Sequence, residues 1–159
     1  MNSSPLDAVV RLCRAQTVAT RQLDRRLAAH GISFGDFLIL THLASAEGAR
    51  LRRVDLAERL GLTPSGVTRA LGPLERIGLV DRQSDPRDAR ASYASLSAPG
   101  RRLLADARVS AEAAGRELFG DVGAAGGDWD AADLDLFARL LARLGGTGLP
   151  TTTATPPPT

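Results

Sequence analysis

Between residues 53 and 74 the apolar side chains follow an order that only a few two-helix arrangements satisfy. Leu56 and Leu60 stand four apart with small Ala57 beside them. Gly61 then interrupts the run before Leu62, Val67, Leu71 and Leu74. The first set gives one inward face to a short helix, the last three do so for a second, and the glycine supplies the left-handed backbone of a tight turn. Thr63 is placed to cap the second helix, with Pro64 in its first turn, where a missing N–H does no harm. The spacing therefore predicts a helix-turn-helix, with helices from about Val54 to Leu60 and from Thr63 to about Ile77, stopped by Gly78. Leu62 is expected to plug the corner between them. Pro73 cannot donate to the carbonyl four residues earlier, so a kink is expected there.

The opposite side of the second helix, near its N-terminus, carries Pro64, Ser65, Gly66, Thr68 and Arg69. Small, polar and basic residues suit a helix that enters a DNA major groove N-terminus first. Arg69 can contact guanine bidentately, Ser65 and Thr68 can bond bases or phosphates, and the helix N-terminus attracts a phosphate. A helix pair with a glycine turn also occurs as plain packing, so the segment after it matters. Val80–Gln83 and Ala91–Leu96 read as strands around a charged turn. Arg82, Arg87 and Arg90, with Asp85 and Asp88 to orient them, suit a wing that reaches into a narrow, electronegative minor groove. Arg53 and Arg76 complete the expected DNA-facing set.

The flanks are helical. A first helix is expected from about Pro5 to Ala29, with Val9, Leu12, Cys13, Gln16, Ala19, Thr20, Leu23 and Leu27 at helical spacing, and a second from Ser33 to about Ala46. Ser33 and Asp36 have capping-box spacing, and Ile32 and Phe37 that of a hydrophobic staple. After the hairpin, residues 98–119 return to helix, 120–128 form a Gly-rich break, and a last helix begins near Asp130. The Thr/Pro tail beyond Leu149 cannot bury anything and is expected to be disordered. The domain reading is a dimerisation helix over 1–31, a winged helix-turn-helix over 32–100, dimerisation helices over 101–146 and a tail over 147–159. The fold class is mainly α with a small β wing. The long apolar stripes at both ends need a partner that the small middle module cannot supply, hence a homodimer.

Charge supports this only by its placement. All 20 basic residues are Arg, a bias that inflates the basicity of a chain whose formal net charge is just +2. Residues 50–102 hold 11 Arg against 6 acidic residues, a local +5, while the rest is net negative. A basic middle with acidic flanks fits one DNA-facing module on a scaffold that does not touch DNA. The single cysteine excludes a disulfide framework or a Cys-rich zinc site within the chain. No apolar run approaches the ~20 residues of a membrane span. The start lacks the layout of a secretory signal, so a cytoplasmic location is expected. Phosphate loops, HExxH and metal-ligand clusters are missing, and no Ser/His/Asp set can be argued, so neither an enzyme nor a cofactor is expected.

On these residues the chain resembles the MarR family of transcriptional regulators over about residues 5–145. The run from Arg53 to Thr63, then Val67-Thr68-Arg69 and Leu74 to Val80, carries the likeness. So do Asp88-Ala89-Arg90 and Leu96-Ser97-Ala98-Pro99-Gly100. The resemblance implies a dimer built by the first and last two helices, Arg90 in the minor groove and Asp88 bracing the wing. It also implies a repressor on a pseudo-palindromic double-stranded operator, released by a small effector such as a phenolic or aromatic acid. By position, Arg14, His30, Phe34, Phe37, Leu38 and His42 are the effector-wall candidates, each equally readable as core or surface packing. An alternative is peroxide or thiol sensing through Cys13. Against it, the activating partners in such sensors are tyrosines, the one tyrosine here is Tyr93, and Cys13 sits about one turn too close to Gly31. A second alternative is a DNA-binding protein without effector control.

Overall fold

The computed structural model describes residues 4–84, 92–120, 129–146 and 148–150. In chain order these form α1 (Pro5–Leu27), a 3-10 turn (Ala28–His30), α2 (Phe34–Ser45) and a second 3-10 turn (Glu47–Ala49). There follow β1 (Arg50–Arg52), α3 (Arg53–Leu60), α4 (Pro64–Arg76), β2 (Val80–Ser84), β3 (Ser92–Leu96), α5 (Ala98–Phe119) and α6 (Ala131–Arg143). The architecture is mainly α with one small antiparallel sheet in the order β1-β3-β2. Two compact units emerge. One comprises the chain up to Phe34 with Ala107–Leu144; the other comprises Gly35–Asp106 with the segment from Gly145.

The second unit holds the sheet and the helix-turn-helix. Leu51 pairs with Ala94 and Val80 with Leu96. These four are buried with Phe37, Leu40, Leu43, Leu56, Ala57, Val67, Leu71 and Leu74 in one apolar core. Full burial of each large side chain is worth roughly 1.5–3 kcal/mol, and that fixes the face α3 and α4 turn inward. The short strand β1 was not anticipated from sequence, because three residues are too few for a periodicity. It adds a third strand to what reads as a two-stranded hairpin.

The junction from the sheet into α5 explains the Leu-Ser-x-x-Gly run. The Ser97 hydroxyl accepts from the Gly100 N–H at 3.0 Å, capping α5, and donates to the Gly78 carbonyl at 2.7 Å. The Ser97 N–H donates to the Leu79 carbonyl at 3.1 Å. Gly100 lies so close that a Cβ there would sit 2.2 Å from the Leu79 oxygen. Serine and glycine at this spacing thus bind the end of α4 to the start of α5.

The first unit contains α1, the C-terminal part of α5 and α6. Arg26 forms an ion pair with Glu117, which also accepts from Gln22 at 3.2 Å. His30 Nε2 lies 2.8 Å from Ser110 Oγ, and Asp24 accepts from the Phe34 N–H at 2.7 Å. Asp130 and Asp133 form a capping box at the start of α6. Phe119, Trp129 and Phe137 pack edge to face or tilted, with centroids 5.2–6.1 Å apart. Yet α6 has no buried residue, and α1 buries only Leu27. Leu6, Val9, Val10 and Val18 on α1, and Leu136 and Leu140 on α6, are exposed. No single helix among the described residues is long and apolar enough to cross a membrane.

One local expectation is corrected. Leu62 is 45% exposed and does not plug the corner; Gly61 closes the turn through backbone alone. With φ at 63° it ends α3, and the Leu62 N–H returns to the Ala57 carbonyl at 2.9 Å. Pro73 lies inside α4, whose helical span runs on to Arg76. Only one intrahelical bond is forfeited there, while Leu71 and Leu74 on either side are buried and hold the helix to the core.

Candidate nucleic-acid interface

The candidate interface is built on the first two turns of α4. Thr63 precedes the helix in extended conformation (φ −75°, ψ 155°), and its hydroxyl accepts from the Gly66 N–H at 3.1 Å. Pro64 occupies the first helical position. Val67, Leu71 and Leu74 are buried beneath, which leaves Pro64, Ser65, Thr68 and Arg69 exposed and Gly66 half-buried. The Ser65 hydroxyl lies 3.2 Å from that of Thr63, and the Thr68 hydroxyl donates to the Pro64 carbonyl at 3.0 Å. Thr63 and Thr68 are therefore engaged in shaping the helix start. Arg69 makes no ion pair with any described residue. This guanidinium, near a helix N-terminus, gives the corner a positive potential, and its fork of N–H donors matches a base edge or a phosphate.

The other expected residues separate. The Arg53 guanidinium is only 13% exposed and pairs with Glu75 at 2.5 Å, joining the start of α3 to the last turn of α4. The pair fixes the helix-turn-helix angle. It lay beyond sequence reasoning because the partners are 22 residues apart. Arg76 is exposed, with its Nε 3.4 Å from the Gly72 carbonyl. Arg82 is exposed on β2, opposite Ala94. Asp85, Arg87, Asp88 and Arg90, the expected wing tip, lie outside the described residues.

Of the expected effector-wall residues, Arg14 is exposed on α1, and His30 is half-buried against Ser110. Phe34 and Leu38 are half-buried, and Phe37 is buried. The imidazole of His42 is half-buried. Burial, and secondarily the Arg59 guanidinium, push its pKa below the ordinary value of 6.5. Its Nδ1 is buried without a hydrogen-bond partner among the described residues. Cys13 is a free, exposed thiol. Tyr93 lies under Arg50, with the guanidinium carbon 5.1 Å from the ring centroid. That contact was invisible in the sequence because it depends on the β1–β3 register.

Residues 30–91 match the family model described as MarR family. The HTH-type transcriptional regulator PrsX of Escherichia coli is 31% identical over 93 residues, covering 58% of this chain and 56% of that protein. The chain thus spans little more than half the length of that relative. The HTH-type transcriptional repressor YetL of Bacillus subtilis strain 168 is 29% identical over 122 residues, covering 77% of this chain and 69% of that protein. Among solved structures, Sco3205, a MarR family transcriptional regulator from Streptomyces coelicolor in complex with DNA, superposes with a TM-score of 0.78 at 23% identity. The match covers 94% of this chain and 98% of that one, and it establishes the fold.

Proposed function

We propose that the chain is a member of the MarR family and acts as a transcriptional repressor that binds a pseudo-palindromic duplex operator as a homodimer. The observation that carries this reading is the division of α4. Val67, Leu71 and Leu74 are buried, while Ser65, Thr68 and Arg69, the last in no ion pair with a described residue, stand exposed at the N-terminal end. That is the arrangement a major-groove reader needs. In this reading Thr63 caps the helix, Arg69 reads a base, Ser65 and Thr68 contact bases or phosphates, and Arg76 and Arg82 contribute charge. Arg53 serves as scaffold through Glu75. Arg87, Asp88 and Arg90 form the wing. Two copies bring two such helices to successive major grooves about 34 Å apart. The exposed apolar residues of α1 and α6 are the dimerisation surface. The repressor character of YetL and the DNA-bound state of Sco3205 support the reading by likeness.

We further propose that a small molecule, a phenolic or aromatic acid, releases the DNA. The exposure of Cys13 favours one alternative trigger, oxidation of its thiol. A gel shift on duplex DNA from upstream of the chain's own gene tests these readings together. A discrete complex is expected, resistant to nonspecific competitor and dissolved by one of a series of phenolic acids. Complexes that form equally on any duplex would contradict the operator reading. Release by peroxide in the native chain and not in Cys13→Ser would replace the acid trigger with the thiol.

A further inference from the structure

A groove of about 890 Å³ runs along the sheet and α3, and none of the α4 residues of the proposed DNA contact lines it. Its charged and aromatic lining residues are Glu47, Arg50, Arg52, Asp55, Arg59 and Tyr93. A neighbouring cavity of about 750 Å³ shares Asp55 and Arg59 with it and reaches His42. A volume of this size holds a whole small metabolite, since ligand pockets span roughly 300–1,000 Å³.

The placement of the charges follows from the fold. Arg52 pairs in register with Tyr93, and Arg50 lies two residues back on β1, so side-chain alternation puts all three on one sheet face. Leu51, on the opposite face, is buried against Ala94 and holds the register. Arg50 lies over the Tyr93 ring at 5.1 Å, which limits its freedom before any ligand arrives. Asp55 and Arg59 are four apart on α3, a spacing at which ion pairs are common, yet they form none. Arg50, Arg52 and Arg59 make no ion pair with any described residue, and neither do Glu47 and Asp55. Ala49, between Gly48 at the groove and Arg50, has a φ of 51°, the one positive value for a non-glycine among the described residues. Such backbone strain collects where the surroundings over-determine a conformation.

Three guanidiniums and two carboxylates, none of them in an ion pair with a described residue, around one open groove are complementary to a ligand with two kinds of group. Guanidiniums match the oxygens of a phosphate, with planar forks of donors. Carboxylates accept from hydroxyls. The exposed part of the tyrosine ring offers an apolar surface to a carbon skeleton. We propose that this groove binds a phosphorylated, hydroxyl-bearing small molecule of the sugar-phosphate class, the phosphate on Arg50, Arg52 and Arg59 and the hydroxyls on Glu47 and Asp55. Duplex DNA carries the same phosphate chemistry, but its backbone would set an anionic chain against both carboxylates. Ligand binding at the groove stands apart from the DNA reading, because it is measured without DNA.

The test is isothermal titration of the full chain with a panel of hexose and pentose phosphates, with inorganic phosphate and the unphosphorylated sugars alongside. At least one sugar phosphate is expected to bind tenfold or more tightly than both of its halves. Arg59→Gln and Arg50→Ala are each expected to weaken it at least tenfold, with thermal unfolding unchanged to show that the variants fold. Asp55→Asn should weaken the sugar phosphate while sparing inorganic phosphate. If no panel member exceeds inorganic phosphate, or if Arg59→Gln binds as the native chain does, the proposal is wrong. A second arm measures duplex binding against salt. Loss of a DNA contact in Arg59→Gln would flatten the slope of log K against log [salt] by about 0.9. A flattened slope with sugar-phosphate binding intact would assign Arg59 to the DNA backbone and overturn the proposal.

Discussion

At the scale of single residues, the separation of structural from recognition roles is sharpest within α4. Arg69 is exposed and makes no ion pair with described residues, so its removal is expected to leave folding untouched and, under the proposed function, to show only in DNA binding. Arg69→Ala is expected to reduce discrimination against a changed base in the half-site by about 1–3 kcal/mol. Competition binding measures this, and an unchanged preference would remove Arg69 from base readout. Gly100 is the opposite case. Its Cβ position is 2.2 Å from the Leu79 oxygen and 2.8 Å from Leu96 Cδ1, so Gly100→Ala must push α5 off the α4–β2 turn. A loss of about 1–3 kcal/mol in denaturant unfolding is expected. His42 predicts a pH effect. Its folded pKa lies below 6.5 through burial and then Arg59. Its contribution to stability is therefore complete above pH 6.5 and falls as the pH drops towards the folded pKa, because the unfolded chain takes the proton first. The urea midpoint should fall between about pH 7.5 and about pH 5, and His42→Gln should reduce that fall; an equal fall in the variant would contradict the assignment.

At the scale of elements, what was legible in the sequence was local. Apolar spacing, caps and glycine stops are properties of adjacent turns. Hence α3, α4, α5 and α6 lie close to where the pattern puts them, and Asp130 caps α6. Non-local features were hidden. Strand β1 exists only because β3 is there to pair with it, and Arg53 is drawn from the expected interface by Glu75. Leu62 was misjudged for a related reason: a corner needs no apolar plug when the backbone of Gly61 and Leu62 already closes it. Pro73 removes an N–H from a helix held by buried Leu71 and Leu74. Pro73→Ala should restore the bond to Arg69 and raise stability by about 1–3 kcal/mol. Chemical unfolding tests this, and a drop in stability would mean the ring itself is needed in packing.

At the scale of the molecule, the interior of the described chain falls short of its apolar content. Leu6, Val9, Val10 and Val18 on α1 and Leu136 and Leu140 on α6 stand in solvent, although these helices bury little else. Exposed stripes of this extent suit an interface, and in the proposed dimer a second copy covers them with matching surface. Under that proposal a symmetric dimer requires a symmetric DNA site. Selection of bound duplexes from a random library, with sequencing of the survivors, tests that requirement directly. The account predicts an enriched inverted repeat whose half-site centres are about one helical turn apart. An enriched single half-site, a direct repeat, or no enrichment at all would contradict it.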